Sequence, residues 1–338
     1  MYSLVLTSII ALGLTACAVR PTDAPTPTPT TAVEPAPEAV ITAPSSERVA
    51  ATHARPELTP ALKKWCGQMD ESFKKYGWGQ SRCEDFSWTH VRNSTNGTAL
   101  PWVVFGDEKD IEKKNVTLIM CGVHGDEITP VKFCFDILYD LHDFLWDFSQ
   151  RVVIIAPLVS PESFFIEKPT RTNARGVDVN RNFPTEDWKK HALKIWTKKY
   201  RKDKRRFPGH TALSEPETVF QVNIIKRYKP AKIISVHSPL SMLDYDGPEL
   251  KHTKAQPAKD LLLTMAEKAQ GYKVQNYPYF PGSLGNWAGH ELGIPTYTLE
   301  LPNTNPQENE RFWKLFREAI HTAIEQTVGP VPVENSTK

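Results

Sequence analysis

The sequence has no long apolar run, almost no net charge and no internal repeat. The apolar stretch from Leu4 to Leu14 is too short to span a membrane. The 41 basic and 39 acidic residues nearly cancel, so the overall charge indicates no class of partner. Because no repeat is visible, a solenoid of stacked units is excluded.

The apolar stretch near the N-terminus has the features of an export signal. It leads into Leu14-Thr15-Ala16-Cys17, a small-residue cleavage box that ends in cysteine, although no Lys or Arg precedes it. Residues 1–17 therefore resemble a bacterial lipoprotein signal. We expect lipidation of Cys17 and a periplasmic, lipid-anchored protein on the outer membrane of a Gram-negative bacterium. A simple secretory signal with an incidental cysteine is the alternative.

Residues 18–60 are rich in Pro, Thr and Ala and almost lack large apolar side chains. Such a composition cannot bury a core, so it predicts a disordered spacer. In a polyproline-like form, at roughly 3.1 Å per residue, the spacer reaches on the order of 100 Å. Residues 61–330 are predicted to form a single catalytic domain, and residues 331–338 a disordered tail.

A short polar motif follows the first clear buried strand. The apolar run from Val116 to Met120 is followed by His124-Gly125-Asp126-Glu127, and apolar residues at helical spacing begin at Ile128. The motif thus lies on a strand-to-helix turn. Two later strand-like runs end in His237 and Glu300. In open α/β sheets, reactive groups collect beyond the carboxyl ends of the strands.

His124, Glu127 and His237 form a ligand set that suits a catalytic zinc ion, one per chain. Such an ion commonly takes three protein ligands and keeps a fourth position open. Zinc polarises a carbonyl and lowers the pKa of bound water to roughly 7. Glu300 is then available as the general base. An isolated His-x-x-Glu is a weak motif, and the prediction depends on its combination with His237 and Glu300.

The polar segment 171–184 supplies groups that suit a substrate with a free carboxylate. The guanidinium of Arg181 offers a planar fork of donors, and Asn180 adds an amide. Arg171 is predicted to face the carbonyl oxygen as charge develops on it. Asp178 is predicted to orient a zinc-bound imidazole. A solvated turn is the alternative interpretation of this segment.

Several segments together resemble the zinc metallocarboxypeptidases related to carboxypeptidase A, and most closely their murein peptide amidase A group. The resemblance covers roughly residues 86–325. It is carried by Gly122-Val123-His124-Gly125-Asp126-Glu127, Val177-Asp178-Val179-Asn180-Arg181-Asn182-Phe183, His237, and Thr298-Leu299-Glu300-Leu301-Pro302. That group removes diaminopimelate from the γ-D-glutamyl bond of cell-wall peptides.

The resemblance implies a role for each matching residue. His124, Glu127 and His237 are implied to bind zinc, with Glu300 as the general base. The oxyanion is implied to face Arg171, and the carboxylate of the released residue is implied to contact Asn180 and Arg181. A tyrosine from the loop before Gly282 is implied to cover the substrate, and the spacing does not choose between Tyr277 and Tyr279.

The element pattern predicts an α/β, single-domain metallocarboxypeptidase-like fold. Strand-like runs near 101–105, 116–121, 152–156, 231–236 and 295–300 alternate with helical patterns near 128–146, 214–228, 257–270 and 306–327. This alternation predicts a mixed, mostly parallel twisted sheet with helices on both faces. Ser214, with Glu217 three residues later, predicts a capping box at the second of these helices.

The remaining cysteines and a basic segment allow two further predictions. Cys66 and Cys83 flank a polar segment that an oxidising compartment would close as a disulfide, whereas Cys121 and Cys134 are expected to be buried free thiols. Ten Lys or Arg residues lie between Lys189 and Arg206. They form either a basic rim that attracts acidic wall peptides or a solvated helix and loop.

These observations favour a lipid-anchored zinc peptidase that acts on peptidoglycan stem peptides in the cell envelope. We expect no nucleic-acid partner, and the oligomeric state is open. One alternative is a small-molecule deacylase similar to aspartoacylase and succinylglutamate desuccinylase, although Asn180-Arg181-Asn182-Phe183 and Leu299-Glu300-Leu301-Pro302 favour the peptidase. Another is a noncatalytic wall-binding lipoprotein, which would be expected to have lost a ligand or the base.

Overall fold

The computed structural model describes residues 57–247 and 255–329. The predicted signal, the lipidation site Cys17, most of the predicted spacer and the predicted tail lie outside the described residues. All described residues belong to one compact unit. Within them, no helix is long and apolar enough to cross a bilayer.

The described residues form a sheet of seven strands in the order β1-β2-β4-β3-β5-β7-β6. The strands are β1 (Trp88–Asn93), β2 (Ala99–Phe105), β3 (Asn115–Met120), β4 (Arg151–Ala156), β5 (Lys232–His237), β6 (Met242–Asp246) and β7 (Thr296–Glu300). Strands β4, β3, β5 and β7 are parallel neighbours, whereas β2 and β6 pair antiparallel with theirs. The predicted mixed, mostly parallel sheet is confirmed.

Helices cover both faces of this sheet. They are α1 (Pro60–Tyr76), α2 (Ile128–Asp143), α3 (Pro161–Phe164), α4 (Trp188–Lys198), α5 (Pro216–Tyr228), α6 (Gln256–Lys268), α7 (Asn309–Glu325) and a π-helical segment, Gly285–Glu291. Successive residues of each central strand point to opposite faces of the sheet, so residues two apart share a face. In β4, Val153 and Ile155 pack with α1, α2, α6 and α7, while Val152 and Ile154 pack with α5 and the π-helical segment.

The predicted capping box at α5 is wrong. The helix begins at Pro216, its N-cap residue is Glu215, and no side chain caps it. The carboxylate of Glu217 instead accepts hydrogen bonds from the Thr95 backbone N–H at 2.9 Å and from Asn173 Nδ2 at 2.9 Å. Glu217 is therefore used to hold the loop that precedes Val177, a long-range contact that sequence spacing cannot indicate.

Candidate metal centre and active-site cleft

The turn that carries the His124 motif is shaped by two glycines. Gly122 has a φ of +57°, a left-handed conformation that glycine adopts without strain, and a Cβ there would lie 2.6 Å from Leu158 Cδ1. At Gly125 a Cβ would overlap the backbone of Ser163. Ser160, four residues after the end of β4, closes the turn, because its backbone N–H donates to Gly122 O and its hydroxyl donates to Val123 O. His124 is thereby fixed just beyond the end of β3.

His237 and Glu300 lie side by side at the carboxyl ends of two neighbouring parallel strands. They are register partners, His237 as the last residue of β5 and Glu300 as the last residue of β7. Glu127 immediately precedes α2, as predicted, and is its N-cap residue. The two strand ends and the start of α2 therefore bring together residues that lie far apart in the sequence.

The side chains of His124, Glu127 and His237 converge on one point. Nδ1 of His124 lies 2.7 Å from Glu127 Oε1, and Nδ1 of His237 lies 2.8 Å from Glu127 Oε2. All three residues are buried, and one ligand atom from each lies within 4.8 Å of the others. Among the described residues, this is the one group of His, Cys, Asp or Glu side chains with the spacing of a metal site.

The second nitrogen of His124 is held by a buried carboxylate. Nε2 lies 3.1 Å from Asp178 Oδ1, and the other oxygen of Asp178 accepts from Arg171 Nε at 3.0 Å. An Nε2–H that donates to Asp178 leaves the Nδ1 lone pair directed at the point of convergence, which is the usual arrangement of a metal-ligating histidine. Two imidazoles and one carboxylate are also a donor set that zinc takes in catalytic sites.

Charges around this point keep both carboxylates ionised. Burial opposes ionisation of Glu127, but His124 and His237 hold its pKa well below the ordinary value. Burial likewise opposes ionisation of Asp178, and Arg171 and His124 hold its pKa well below the ordinary value. An anionic Glu127 between two imidazole nitrogens is suited to a divalent cation.

Glu300 faces the same cleft but is not one of the three converging side chains. Its Oε2 accepts a hydrogen bond from the Leu240 backbone N–H at 3.3 Å, and its carbonyl oxygen accepts one from the Tyr272 hydroxyl at 2.7 Å. Burial raises the pKa of Glu300. A carboxylate with a raised pKa is suited to accept and return a proton near neutral pH.

Asn180 and Arg181 line the cleft on the side of the π-helical segment. The Asn180 Oδ1 accepts from the Leu284 backbone N–H at 2.7 Å. The guanidinium of Arg181 lies 4.4 Å from the centre of the Phe280 ring, and its buried Nε has no hydrogen-bond partner among the described residues. A buried guanidinium with an unused donor can bind a carboxylate.

The two candidate tyrosines both line the cleft, and the structure does not choose between them. The side chain of Tyr277 is 36% exposed and that of Tyr279 is 51% exposed. Tyr279 packs on His290 with ring centroids 4.1 Å apart, whereas the backbone N–H of Tyr277 donates to Asp244 Oδ1 at 2.8 Å.

The basic segment reaches the mouth of the cleft. Helix α4 occupies its first half, and Asp203, Arg205 and Arg206 line the cleft itself. Arg205 Nη1 pairs with Asp126 Oδ2 at 2.6 Å, so this segment contacts the His124 motif directly. The lysines of α4 are exposed to solvent, and the loop after the helix lines the cleft. The attraction of this rim for acidic wall peptides stays a prediction.

The structure contains two disulfide bonds in its described residues. One joins Cys66 of α1 to Cys83, with the Cα atoms 5.4 Å apart, which is the pairing proposed from the sequence. The other joins Cys121 to Cys134, with the Cα atoms 6.3 Å apart, so the expectation of free thiols there is wrong. Cys121 follows β3 and Cys134 lies on α2, and the turn between them folds α2 back along the strand.

Residues 80–328 match the zinc carboxypeptidase family of peptidases, Peptidase_M14. The chain belongs to this family. The resemblance proposed from the sequence is thus confirmed, and the protein is a hydrolase that acts on peptide or amide bonds. Members of the family are zinc-dependent, and the His124, Glu127 and His237 side chains could hold the metal.

Proteins that are similar to this chain in sequence include murein peptide amidases. The chain is 32% identical to murein peptide amidase A of Escherichia coli K12 over 194 residues, 56% of this chain and 73% of the relative. It is 28% identical to murein peptide amidase A of Vibrio campbellii over 196 residues, 57% of this chain and 71% of the relative.

Two solved structures show the fold of this family. The murein-tripeptide amidase of Escherichia coli O157 is 25% identical with a TM-score of 0.50, and the match covers 70% of this chain and 92% of that one. Carboxypeptidase A of Helicoverpa armigera is 19% identical with a TM-score of 0.60, covering 81% and 75%. The metallocarboxypeptidase-like fold is therefore confirmed.

Several residues that line the cleft were not singled out from the sequence. They are Asp126, Asp203, Arg205, Ser235, Asp244 and Asp246. The last two belong to β6, a strand that the sequence analysis missed. The alternation of apolar and acidic residues in Met242-Leu243-Asp244-Tyr245-Asp246 is typical of an edge strand with one polar face. This alternation is the sequence feature from which β6 could have been predicted.

Proposed function

We propose that this protein is a zinc-dependent peptidase or amidase of the cell envelope that hydrolyses peptidoglycan stem peptides. It releases diaminopimelate or another C-terminal residue from a γ-D-glutamyl bond. The observation that carries the proposal is a single cleft of about 430 Å³, in which three converging ligands, a free glutamate and a carboxylate-binding pair lie together. The similarity to murein peptide amidase A supports the choice of substrate class.

His124, Glu127 and His237 would hold one zinc ion per chain. When bound, the ion would polarise the scissile carbonyl and lower the pKa of a water molecule. Asp178 would keep the His124 ring in the tautomer that directs Nδ1 inward. Other side chains of the protein would transfer the proton, stabilise the oxyanion and bind the substrate carboxylate.

Glu300 would remove a proton from the attacking water and later deliver it to the leaving amine. Burial raises the pKa of Glu300, which favours both the uptake of the proton from water and its delivery to the amine. Arg171, whose side chain is 17% exposed, lies at the same cleft and would face the carbonyl oxygen as negative charge develops there. Asn180 and Arg181 would bind the free carboxylate of the residue that is released.

The cell-envelope location is proposed from the N-terminal sequence, with Cys17 as the lipid-anchored residue. The presence of two disulfide bonds supports export, since disulfides persist in oxidising compartments such as the periplasm. In that location, the substrate would be intact or newly released wall peptide.

The test is to incubate the full-length chain carrying Cys17→Ser, loaded with zinc, with wall tripeptide, tetrapeptide and pentapeptide, and to identify products by mass spectrometry. We expect release of terminal diaminopimelate from the tripeptide, and no release by the Glu300→Gln variant. Activity on N-acyl amino acids alone would instead identify a small-molecule deacylase. Binding to the wall with no turnover of any substrate would identify a noncatalytic wall-binding protein.

A further inference from the structure

A separate groove adjoins the active-site cleft at the segment that carries Arg171. It has a volume of about 550 Å³, and Arg171 and Arg205 line both the groove and the cleft. Thr170 and Thr172, the sequence neighbours of Arg171, line the groove but not the cleft. In the cleft, Arg171 Nη1 lies 3.2 Å from Glu127 Oε1. The side chain of Arg171 therefore spans the distance between the groove and the candidate metal ligands.

The lining of this groove includes an aromatic row, which consists of Trp196, Phe207 and His210. The ring centroids of Trp196 and Phe207 are 4.8 Å apart, and those of Phe207 and His210 are 5.0 Å apart. Trp196 Nε1 donates to Asp203 O at 2.7 Å, which fixes the indole ring. Leu193 of α4 lies in the same groove and is 39% exposed. Rigid aromatic rings offer a large contact area that a ligand can cover at a low cost in conformational entropy.

Hydrogen-bond donors surround the aromatic row. Lys204 and Arg205 are both exposed and line the groove, and no acidic side chain among the described residues lines it. The groove is therefore unsuited to a cation. A fatty acyl chain or an apolar side chain would leave the donors unused. A sugar ring has apolar C–H faces that stack on aromatic rings and hydroxyl groups that bond to donors at its edge, so it matches both features.

The proposed substrate has a sugar at the end opposite to its free carboxylate. A wall stem peptide is joined at its N-terminus, through a lactyl group, to N-acetylmuramic acid. With the C-terminal residue at Asn180 and Arg181 and the scissile carbonyl at Arg171, the rest of the peptide extends past Arg171. At about 3.3 to 3.6 Å per extended residue, a glutamyl, an alanyl and a lactyl unit span on the order of 10 Å. The sugar therefore begins outside the metal-binding part of the cleft, where an adjoining groove can receive it.

We propose that the aromatic row and Leu193 bind the N-acetylhexosamine of a wall peptide that is still attached to its sugar. The proposal rests on the proposed function in assuming that a stem peptide occupies the cleft. It adds a second ligand class, a sugar, at a site outside the cleft. It also assigns the form of the substrate: the sugar-linked peptide is preferred over the free peptide. The volume of the groove lies in the range of about 300 to 1,000 Å³ that is usual for pockets that bind small molecules.

The decisive measurement compares two substrates that differ only in the sugar. The zinc-loaded full-length chain carrying Cys17→Ser is assayed on N-acetylmuramyl-tripeptide and on the same tripeptide with an N-lactyl group. The N-lactyl peptide retains the uncharged amide at the N-terminus but lacks the ring. We expect kcat/KM for the muramyl peptide to be about 10-fold higher, because stacking on a fixed aromatic ring contributes a factor of this size. Equal values of kcat/KM for the two peptides would overturn the proposal.

Three variants assign the preference to the groove. Trp196→Ala should remove most of the muramyl-to-lactyl ratio of kcat/KM, and it should leave kcat/KM on the N-lactyl peptide unchanged. Leu193→Ser and His210→Ala alter exposed side chains, so they should fold normally and lower the ratio several-fold. They decide the question if Trp196→Ala does not fold. Leu263→Ser, at a leucine of α6 that is 50% exposed and does not line the groove, is the matched control and should keep the wild-type ratio. An unchanged ratio in every folded groove variant would also overturn the proposal.

A binding measurement separates this proposal from the proposed function. The zinc-loaded Glu300→Gln variant is titrated with the muramyl and the N-lactyl peptide by calorimetry. If the wild type hydrolyses neither peptide, the proposed function fails, and the sugar site is decided by binding alone: about 10-fold tighter binding of the muramyl peptide supports it, and equal affinities reject it. If the wild type hydrolyses both peptides with equal kcat/KM, the proposed function stands and the sugar site is rejected.

Discussion

Asp178 Oδ1 lies 3.1 Å from Nε2 of His124, the ring nitrogen that does not face Glu127. This contact fixes the orientation of the His124 ring, a candidate metal ligand, through the nitrogen that points away from Glu127. Asp178→Asn should weaken zinc binding by about 10- to 100-fold, because carboxylate partners of ligating histidines contribute that much to affinity. Competition with a zinc chelator would measure the loss. Asp147→Asn, an exposed aspartate before β4, is the control and should leave the affinity unchanged.

Glu300→Gln should separate metal binding from turnover. Glu300 does not belong to the converging group, so the variant should bind one zinc ion per chain, as measured by elemental analysis. Its kcat should fall by at least about 100-fold, since an amide cannot accept the proton from water. A variant that hydrolyses the tripeptide at the wild-type rate would show that another residue is the base.

Lys232 should make stability depend on pH. It is fully buried on β5, and its Nζ donates to Asn115 Oδ1 at 2.7 Å and to Gln326 O at 2.8 Å. Burial lowers the pKa of Lys232 to about 7, against about 10.4 in an unfolded chain. Between these values the unfolded chain holds a proton that the folded chain lacks, so the free energy of unfolding rises with pH.

The Lys232→Met variant isolates this effect. The rise should approach about 1.4 kcal/mol per pH unit between pH 7 and 9 in the wild type, relative to the variant. Urea unfolding at pH 7, 8 and 9 measures it, since other groups titrate equally in both proteins. Parallel stability curves for the two proteins would show that Lys232 is not the cause.

The Cys121–Cys134 bond should contribute to stability. Its loop of 13 residues predicts that a Cys121→Ala, Cys134→Ala double variant loses about 2 to 4 kcal/mol of unfolding free energy. The Cys66–Cys83 pair, with a separation of 17, offers a matched double variant with a similar expected loss. Alkylation of the unreduced, denatured protein should label none of these four cysteines. Labelling of Cys121 and Cys134 alone would restore the expectation of free thiols.

Cys17→Ser should move the protein from the membrane fraction to the soluble fraction of the cell envelope. The substitution removes the only thiol of the predicted cleavage box to which lipid could be attached. Fractionation, with mass spectrometry of the mature N-terminus, would measure the change. If the wild-type protein lacks a lipid and begins at a different residue, the signal is a simple secretory one.

The candidate site could be predicted from the sequence because its residues follow strongly apolar strands. β3 and β5 are buried along their whole length, so their ends, and with them His124 and His237, could be read from local composition. Strand β6 was missed because its acids interrupt the apolar pattern. Helix α1 was missed beside the Pro-rich spacer, although Leu62, Trp65, Met69 and Phe73 have helical spacing and are buried.

Contacts between distant segments could not be predicted in this way. The spacing of Ser214 and Glu217 fitted a local cap, yet Glu217 serves Thr95 and Asn173, which come from other loops. The distance between Cys121 and Cys134 depends on how α2 folds back along β3, and neither the turn nor the helix alone sets it. The pairing of Ser235 with Thr298 and Asp244 likewise requires the strand register.

The register of β5, β7 and β6 decides which side chains face the cleft. His237 and Glu300 line the cleft at the strand ends, and Ser235, Thr298 and Asp244 line it two residues earlier or later on the same strands. Because side chains on one face of a strand recur at every second residue, a one-residue shift of β5 or β7 would turn His237 or Glu300 to the opposite face of the sheet. A single inserted or deleted residue within β5 or β7 should therefore abolish activity, whereas the same change in a connecting loop leaves the register of the two strands intact.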